Sequence, residues 1–317
     1  MNRKDSSLSF SVVVETENLL QADMGCLHEA LESLSNQDYP INRASTVLVQ
    51  DSGNVPEVVL EEMNSRFPWL SFIQIPHDRG HYEAKMICLE EVRSDIVVFC
   101  DSDCILEPSW LGNLLRPFSL DPAIELVGGE TQMKAKDPFS LAMVLTHVFA
   151  LYSQNEDLFI ADYYYANNVA FKSAFLREHA IPCKLPIFRG NCTLHARELI
   201  AQGVKIWRQP KARGVHAVPE NWAEFVKRFI RMGSDSVQVS RFSALSDGKK
   251  SSLLRGTAIA IIASKCVETF RRVWQIRTRD PQPLQRMLFA TPIVLLALCL
   301  FSSGAMSKSF AIKSNAQ

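Results

Sequence analysis

The sequence has no excess of basic over acidic residues, since Lys and Arg number 34 and Asp and Glu also number 34. Nucleic-acid-binding proteins usually carry a basic excess, so this balance argues against a nucleic-acid partner. The eight cysteines form no C-x-x-C pair, which argues against structural zinc, and several lie in apolar runs, as is typical of a reducing compartment. The polar residues 1–7 predict no signal peptide.

Two glycine motifs that bind nucleotide phosphates are also missing. No G-x-G-x-x-G follows the first predicted strand, and no G-x-x-x-x-G-K-[ST] occurs in the chain. These absences argue against a dinucleotide cofactor. A nucleotidyltransferase is a further hypothesis, and the lack of a glycine-rich, basic loop after the first strand disfavours it.

The first hundred residues alternate between short apolar runs and helical patterns. The runs 10–14, 46–49, 70–75 and 96–100 predict strands, and each of the first three is followed by a segment with helical spacing of its apolar residues. This alternation predicts an α/β fold with a doubly wound, mostly parallel sheet flanked by helices. With 317 residues and 47% hydrophobic content, the chain can form one large domain or one domain with an appendage.

The fourth predicted strand ends in two carboxylates, Asp101 and Asp103. Open α/β sheets bind ligands at the carboxyl ends of their strands, and two carboxylates one residue apart repel each other unless a cation lies between them. The hard ions Mg²⁺ and Mn²⁺ suit such an oxygen site and also accept phosphate oxygens. The alternative is a solvated Asp-Ser-Asp turn that caps the next helix.

Other polar residues are expected at the same edge of the sheet. Asp51 follows the second strand and can accept from a base or ribose, while Lys85, on the helix before the fourth strand, can meet phosphate charge. Together with Asp101 and Asp103, these residues predict a pocket for a nucleoside diphosphate.

Seven stretches of the chain, taken in order, resemble one enzyme family. They are 11–18 (SVVVETEN, with Glu15 where proline is usual), 51–53 (DSG), 78–85 (DRGHYEAK), 98–103 (VFCDSD), 166–171 (ANNVAF), 210–216 (PKARGVH) and 228–233 (RFIRMG). This ordered set is similar to the family 2 glycosyltransferases, which have the GT-A fold. The resemblance covers about residues 9 to 236.

The resemblance implies an enzyme that moves a sugar from a nucleotide-diphosphate sugar to a hydroxyl or phosphate acceptor, on a lipid-linked or envelope glycan, with inversion at the anomeric carbon. It implies Mg²⁺ or Mn²⁺ as cofactor. The site residues that it implies are Asp101, Asp103 and His216 for the metal, Glu17, Asp51, Lys85, Asp101, Arg228 and Arg231 for the nucleotide sugar, and Asn167 and Asn168 on the acceptor side.

One departure from the family concerns the catalytic base. Where the family usually carries Glu-Asp, this chain has Asn191 and Cys192, and neither suits the deprotonation of a sugar hydroxyl. A nearby group could be the base instead: Asp162, His195 or Glu198. Alternatively, the acceptor is already ionised, or the chain is a non-catalytic subunit that binds sugar nucleotides or glycans.

The C-terminal part differs in character from the rest. Residues 287–306 carry no charge and are long enough to cross a bilayer, although Pro292 fits a buried core helix as well. The arginines of 271–286 would hold the preceding side in the cytoplasm. We therefore expect a GT-A domain over 1–236, an amphipathic, interfacial region over 237–286, a transmembrane or re-entrant helix over 287–306 and a polar tail over 307–317. The expected location is the cytoplasmic membrane, with the catalytic domain facing the cytoplasm.

Overall fold

The computed structural model describes residues 8–16, 24–51, 55–219, 221–246 and 257–314. Their contacts divide the chain into two compact units. The sheet unit comprises the described residues of 1–131, 152–184 and 195–216. The helical unit comprises those of 132–151, 185–194 and 217–317.

The sheet has nine strands. They are β1 (Phe10–Glu15), β2 (Thr46–Asp51), β3 (Leu70–Gln74), β4 (Ile96–Asp101), β5 (Cys104–Leu106), β6 (Leu126–Gln132), β7 (Phe159–Ala161), β8 (Asn168–Lys172) and β9 (Ile206–His216). Their order is β3-β2-β1-β4-β8-β6-β9-β5, and β7 also pairs with β9. The predicted parallel sheet is confirmed over β3-β2-β1-β4, and antiparallel strands continue it beyond β4.

The helices follow the predicted alternation. They are α1 (Met24–Ser35), α2 (Glu57–Arg66), α3 (His81–Glu91), α4 (Trp110–Leu120), α5 (Pro138–Thr146), α6 (Ser173–Glu178), α7 (Asn191–Ala201), α8 (Trp222–Ser246), α9 (Ala258–Arg279) and α10 (Leu284–Ser314). A 3-10 turn spans Ile41–Arg43. All six residues of β1 are buried, and the first five of β4 are buried, because each central strand has neighbours on both sides and is covered on both faces.

The helical unit is held together where α8 crosses α10. A Cβ placed on Gly233 would fall 1.9 Å from the carbonyl oxygen of Phe301, and one placed on Gly304 would fall 1.9 Å from the carbonyl oxygen of Ile230. Only glycine at both positions lets the two backbones approach this closely. Below the crossing, Val237 packs against Ala305.

The apolar C-terminal segment forms one long helix. Its stretch Leu284–Ile312 is the one candidate among the described helices that is long and apolar enough to cross a membrane, by length and composition alone. Only 28% of its most apolar window is buried, so α10 is not the buried core helix that its sequence also allowed.

We expect Gly304→Ala to lower the free energy of unfolding by about 2 kcal/mol, because the added methyl group overpacks the crossing of α8 and α10. Gly112→Ala is the matched control, since this glycine also lies inside a helix but its Cβ would meet the nearest atom at 3.5 Å, an ordinary contact. Thermal unfolding followed by circular dichroism measures both variants. Equal midpoints for the two variants would contradict the close crossing.

Candidate active site

The carboxyl ends of β1, β2 and β4 bring three carboxylates to one edge of the sheet. Glu15 lies opposite Asp101 in the parallel pairing of β1 with β4, and Asp51 ends β2 on the other side of β1. Glu15 and Asp51 are buried. The Oδ1 atom of Asp51 has no hydrogen-bond partner among the described residues. This edge is therefore rich in negative charge and has an unused acceptor.

Lys85 is the cation that offsets this charge. Its side chain is fully buried, and its Nζ atom donates to Oδ1 of Asp101 at 2.7 Å. Burial alone would lower the pKa of Lys85, but the carboxylates of Asp101 and Glu15 outweigh burial and raise the pKa above its usual value. Lys85 is therefore charged, and it holds one of the two aspartates of the 101–103 motif in place.

A second contact between a nitrogen and a carboxylate lies beside the first. His81, the first residue of α3, places Nδ1 at 2.5 Å from Oε2 of Glu15, and both side chains are buried. His81 and Lys85 are four residues apart and so share one face of α3. The helix thus presents two nitrogen-bearing side chains to the carboxylates of β1 and β4.

Asp103 meets His216 on the other side of β4. In the antiparallel pairing of β5 with β9, Cys104 lies opposite His216, the last residue of β9. The Nε2 atom of His216 is 3.2 Å from Oδ2 of Asp103. One ligand atom from each of Asp103, Cys104 and His216 lies within 4.8 Å of the others.

Burial raises the pKa of the Cys104 thiol well above its ordinary value, and the nearby carboxylates of Asp103 and Asp101 raise it further. Cys104 is therefore a thiol at neutral pH when no metal is bound. The aspartate oxygen and the imidazole nitrogen are the other two donors beside it.

Asn167 and Asn168 both use their side chains within the protein. Asn168 is fully buried: Oδ1 accepts from Trp110 Nε1 at 2.8 Å, and Nδ2 donates to the carbonyl oxygens of Glu130 and Ala212. Asn168 thus ties β8 to β6, β9 and α4. Asn167 donates to the Cys104 sulfur at 3.4 Å and places its Oδ1 atom 3.2 Å from the Thr131 hydroxyl. Their assignment to the acceptor side stays a prediction.

The three candidate bases lie in different surroundings. Asp162 and Glu198 are exposed. His195 is buried, with Nε2 2.8 Å from the carbonyl oxygen of His179 and Nδ1 2.6 Å from the Tyr164 hydroxyl. Nε2 therefore carries the proton, and Nδ1 accepts from the tyrosine. Burial lowers the pKa of His195 to about 4. Both ring nitrogens are engaged inside the protein, which leaves neither open to an acceptor in this conformation.

The two arginines assigned to the diphosphate lie on α8, in the helical unit. Both are partly exposed. The Arg231 guanidinium lies 4.3 Å from the centre of the Phe188 ring. Glu17, the other residue expected at the nucleotide, lies outside the described residues.

Sequence reasoning missed four residues at this edge: Glu15, His81, Cys104 and Glu130. Glu130 is a buried carboxylate near the end of β6 that accepts from the Ser153 backbone N–H at 2.9 Å. Two signals could have identified Glu15 and His81. Glu15 replaces a proline that is usual in the resembling family, and His81 precedes Lys85 by one helical turn. Glu130 had no such signal, because it belongs to a strand that pairs over long range.

Two solved glycosyltransferases have similar folds. The mannosyltransferase PcManGT from Pyrobaculum calidifontis, solved with GDP-Man and Mn²⁺, matches 96% of this chain and 88% of its own, with a TM-score of 0.61 and 18% identity. GalNAc-T7, solved with UDP, GalNAc and Mn²⁺, matches 88% of this chain and 59% of its own, with a TM-score of 0.54 and 13% identity. The sheet and its flanking helices therefore form the GT-A fold of glycosyltransferases, as predicted.

The family is shown by the sequence match. The family model for glycosyl transferase family 2 matches residues 21–201, which is more than half of the chain, so this chain belongs to glycosyl transferase family 2. The prediction of the family, and with it of the enzyme class, is confirmed. A curated protein of Drosophila melanogaster described as "Putative polypeptide N-acetylgalactosaminyltransferase 10" is 35% identical over 82 residues. That match covers 25% of this chain and only 13% of the relative's length.

We expect Lys85→Met to lower the free energy of unfolding by about 3 kcal/mol, because the substitution leaves the Asp101 and Glu15 carboxylates without their buried cation. Lys205→Met is the control, since Lys205 is exposed. Denaturant unfolding measures both variants. Adding Asp101→Asn to Lys85→Met should restore part of the loss, and a double variant that is less stable still would contradict the pairing.

The neutral, buried His195 predicts acid sensitivity. The unfolded chain takes up a proton near pH 6.5, whereas the native state resists protonation down to about pH 4. Stability is therefore fully present above pH 6.5 and falls with decreasing pH, by about 3 kcal/mol in total. Unfolding free energies at pH 7 and pH 4, for the native chain and for His195→Gln, test this. The difference between the two pH values should be smaller in the variant, and an unchanged difference would contradict it.

Proposed function

We propose that this chain transfers a sugar from a nucleoside-diphosphate sugar to a hydroxyl or phosphate acceptor, in a single displacement that inverts the anomeric carbon. The observation that carries the proposal is the contact of Asp103 with His216, just after the central strand that ends in Asp101, in a family 2 chain. The two structurally similar enzymes were solved with nucleotides and Mn²⁺, which supports a donor of this class.

The residues present fit a divalent cation. Asp103 and His216 offer one oxygen and one nitrogen donor with their ligand atoms close together, and Cys104 is a thiol when no metal is bound. An oxygen and imidazole set suits Mn²⁺, and Mg²⁺ is the alternative. When bound, the metal neutralises the developing charge on the nucleoside diphosphate as it departs.

The other residues would bind and orient the donor. Asp51 offers an unused carboxylate oxygen to a base N–H or a ribose hydroxyl. Lys85 holds Asp101 in place by donating to one of its two carboxylate oxygens. Arg228 and Arg231, one turn apart on α8, are proposed to meet the diphosphate. Glu17 remains a candidate for the nucleotide.

The acceptor is proposed to be a lipid-linked or envelope glycan, because the chain carries an apolar C-terminal helix that can attach it to a membrane. The base is the least supported part of the proposal. Asp162 and Glu198 are exposed carboxylates and remain candidates, as does an acceptor phosphate that needs no base.

A second candidate function is a non-catalytic subunit that binds sugar nucleotides or glycans. The specific observation that favours it is that Asn191 and Cys192 begin α7 in place of the acidic pair of the family. Such a subunit would keep the donor site without the group that deprotonates an acceptor.

The test is donor binding and turnover by the full chain, with a panel of nucleotide sugars and either Mn²⁺ or Mg²⁺. We expect metal-dependent binding and release of nucleoside diphosphate when membrane extract supplies acceptors. Asp103→Asn should weaken metal-dependent binding at least tenfold, because it removes a charged ligand. Asp157→Asn, which changes an exposed aspartate of the sheet unit, should bind as the native chain does.

The outcomes separate the candidate functions. Binding that depends on metal and on Asp103, but without nucleotide release under any acceptor condition, would support the binding subunit. Equal binding by Asp103→Asn and Asp157→Asn would contradict the metal site. No binding of any donor would contradict the proposed function as a whole.

A further inference from the structure

Helix α9 exposes an apolar stripe. Its large apolar side chains Ile259, Val267, Phe270 and Trp274 are between 59% and 80% exposed. Their spacing of eight, three and four residues places them on one face of the helix. A helix that faces water presents polar residues on its outer face. The outer face of α9 is apolar instead.

The opposite face of α9 buries its polar residues. Lys265, Thr269 and Arg272 are each less than 10% exposed. The Arg272 guanidinium donates to the carbonyl oxygens of Val144 at 3.1 Å and Val148 at 3.2 Å. Val144 lies in the last turn of α5, and Val148 follows the end of that helix. The Arg272 guanidinium is thus hydrogen-bonded inside the helical unit.

A single acidic residue forms ion pairs with the two buried cations, Lys265 and Arg272. Glu268 is the only acidic residue of α9; it accepts from Lys265 Nζ at 3.0 Å and is also paired with Arg272. Glu268 is partly exposed but pairs with these two cations, and no acidic residue of α9 lies within the apolar stripe.

Helix α10 carries a matching stripe. Its exposed apolar residues include Leu284, Leu288, Leu295, Met306 and Phe310, which are 48% to 75% exposed and recur along the whole helix. Only four residues, 280–283, separate α9 from α10. Two consecutive helices of the same unit therefore both expose apolar stripes.

The inner face of α10 is packed along the helical unit from one end to the other. Near its start, Arg286 donates to the carbonyl oxygen of Ala135 at 3.0 Å. Near its end, Gly304 lies against the backbone of Ile230 on α8. The residues of α8 next to that crossing include Arg231 and Asp235. If α10 crossed a bilayer, it would carry these charged groups into the hydrocarbon, which is costly.

Most of the exposed charges beside the stripes are basic, and Asp280 is the exposed acidic residue next to them. Arg271, Arg277 and Arg279 are exposed on α9, and Trp274 lies among them. Basic residues next to an apolar helix face that includes tryptophan are typical of helices that lie in the interface of a bilayer with anionic lipids. A lipid surface therefore matches both the apolar stripes and the charges.

We propose that α9 and α10 attach this chain in the plane of one leaflet of an anionic bilayer, without crossing it. This arrangement differs from the transmembrane or re-entrant helix that the sequence predicts for 287–306. It is independent of the proposed sugar transfer, because attachment to lipid needs neither donor nor metal.

The first test is co-sedimentation of the full chain with vesicles of phosphatidylcholine alone or with 30% phosphatidylglycerol. We expect tighter binding to the anionic vesicles. Phe270→Glu and Leu288→Glu should each weaken binding at least tenfold, and Arg277→Gln should weaken it about fivefold on anionic vesicles only. Leu120→Glu is the matched control, because Leu120 is an equally exposed leucine of the sheet unit, and it should bind as the native chain does.

Tryptophan fluorescence tests the proposal without the charge-changing variants used for sedimentation. Lipids brominated near the headgroup should quench tryptophan fluorescence of the native chain more than lipids brominated near the chain end, and Trp274→Phe should remove most of that difference. Equal loss of binding in Leu120→Glu and Phe270→Glu, or no vesicle binding by the native chain, would overturn the proposal. So would a stable dimer in sedimentation velocity that Phe270→Glu dissociates without any lipid.

The side of the membrane on which each end of α10 lies distinguishes in-plane attachment from a helix that crosses the bilayer. The probes are a cysteine at position 280 and a protease-cleavable tag after Gln317. The cysteine is introduced as Asp280→Cys in a chain whose exposed and partly exposed cysteines are replaced by serine (Cys26, Cys183, Cys192, Cys266 and Cys299). In sealed membrane vesicles from expressing cells, both probes should be reached from the same side by an impermeant maleimide and by added protease. Reaching them from opposite sides would show that α10 crosses the membrane.

Discussion

The buried charge of Lys85 is the constraint on which the candidate site depends. Two adjacent parallel strands, β1 and β4, end in carboxylates that face each other across the sheet, and such a pair would repel without a cation between or beside them. Lys85 supplies that charge from α3, at 2.7 Å from Asp101. The protein thus neutralises the first aspartate of the 101–103 motif itself, whereas the second aspartate lies beside His216.

This division of roles explains why the two aspartates have different partners although they are only one residue apart. Asp101 ends β4, where parallel pairing places it beside β1 and α3. Asp103 comes just before β5, whose antiparallel pairing with β9 places it beside His216. Asp101 thus ends a strand that has a parallel neighbour, β1, and Asp103 precedes a strand that has an antiparallel neighbour, β9. One short motif therefore joins a buried ion pair to a contact with a histidine.

The parallel half of the fold could be predicted from the sequence because each of its strands is a short apolar run followed by a helical pattern. The antiparallel half could not, since its pairings join residues far apart in the chain, as Cys104 and His216 are. Asp101 and Lys85 were expected together because both belong to the parallel half. Glu130 was missed because it lies on an antiparallel strand. The setting of His195 was also beyond prediction, because burial and the hydrogen bond to Tyr164 depend on tertiary packing. The sequence pattern likewise predicted an amphipathic region over 237–286, but not that the polar side of α9 faces inward.

The protonated thiol beside the metal-ligand candidates has a consequence for chemistry on this protein. Burial raises the pKa of Cys88 and Cys100 to about 12 and that of Cys104 well above its ordinary value, so these sulfurs are poor nucleophiles at neutral pH. Cys266 on α9 and Cys299 on α10 are exposed instead, and Cys26, Cys183 and Cys192 are partly exposed. Once these three are replaced, an alkylating dye or spin label will report on the two C-terminal helices while it leaves the buried sulfurs unmodified.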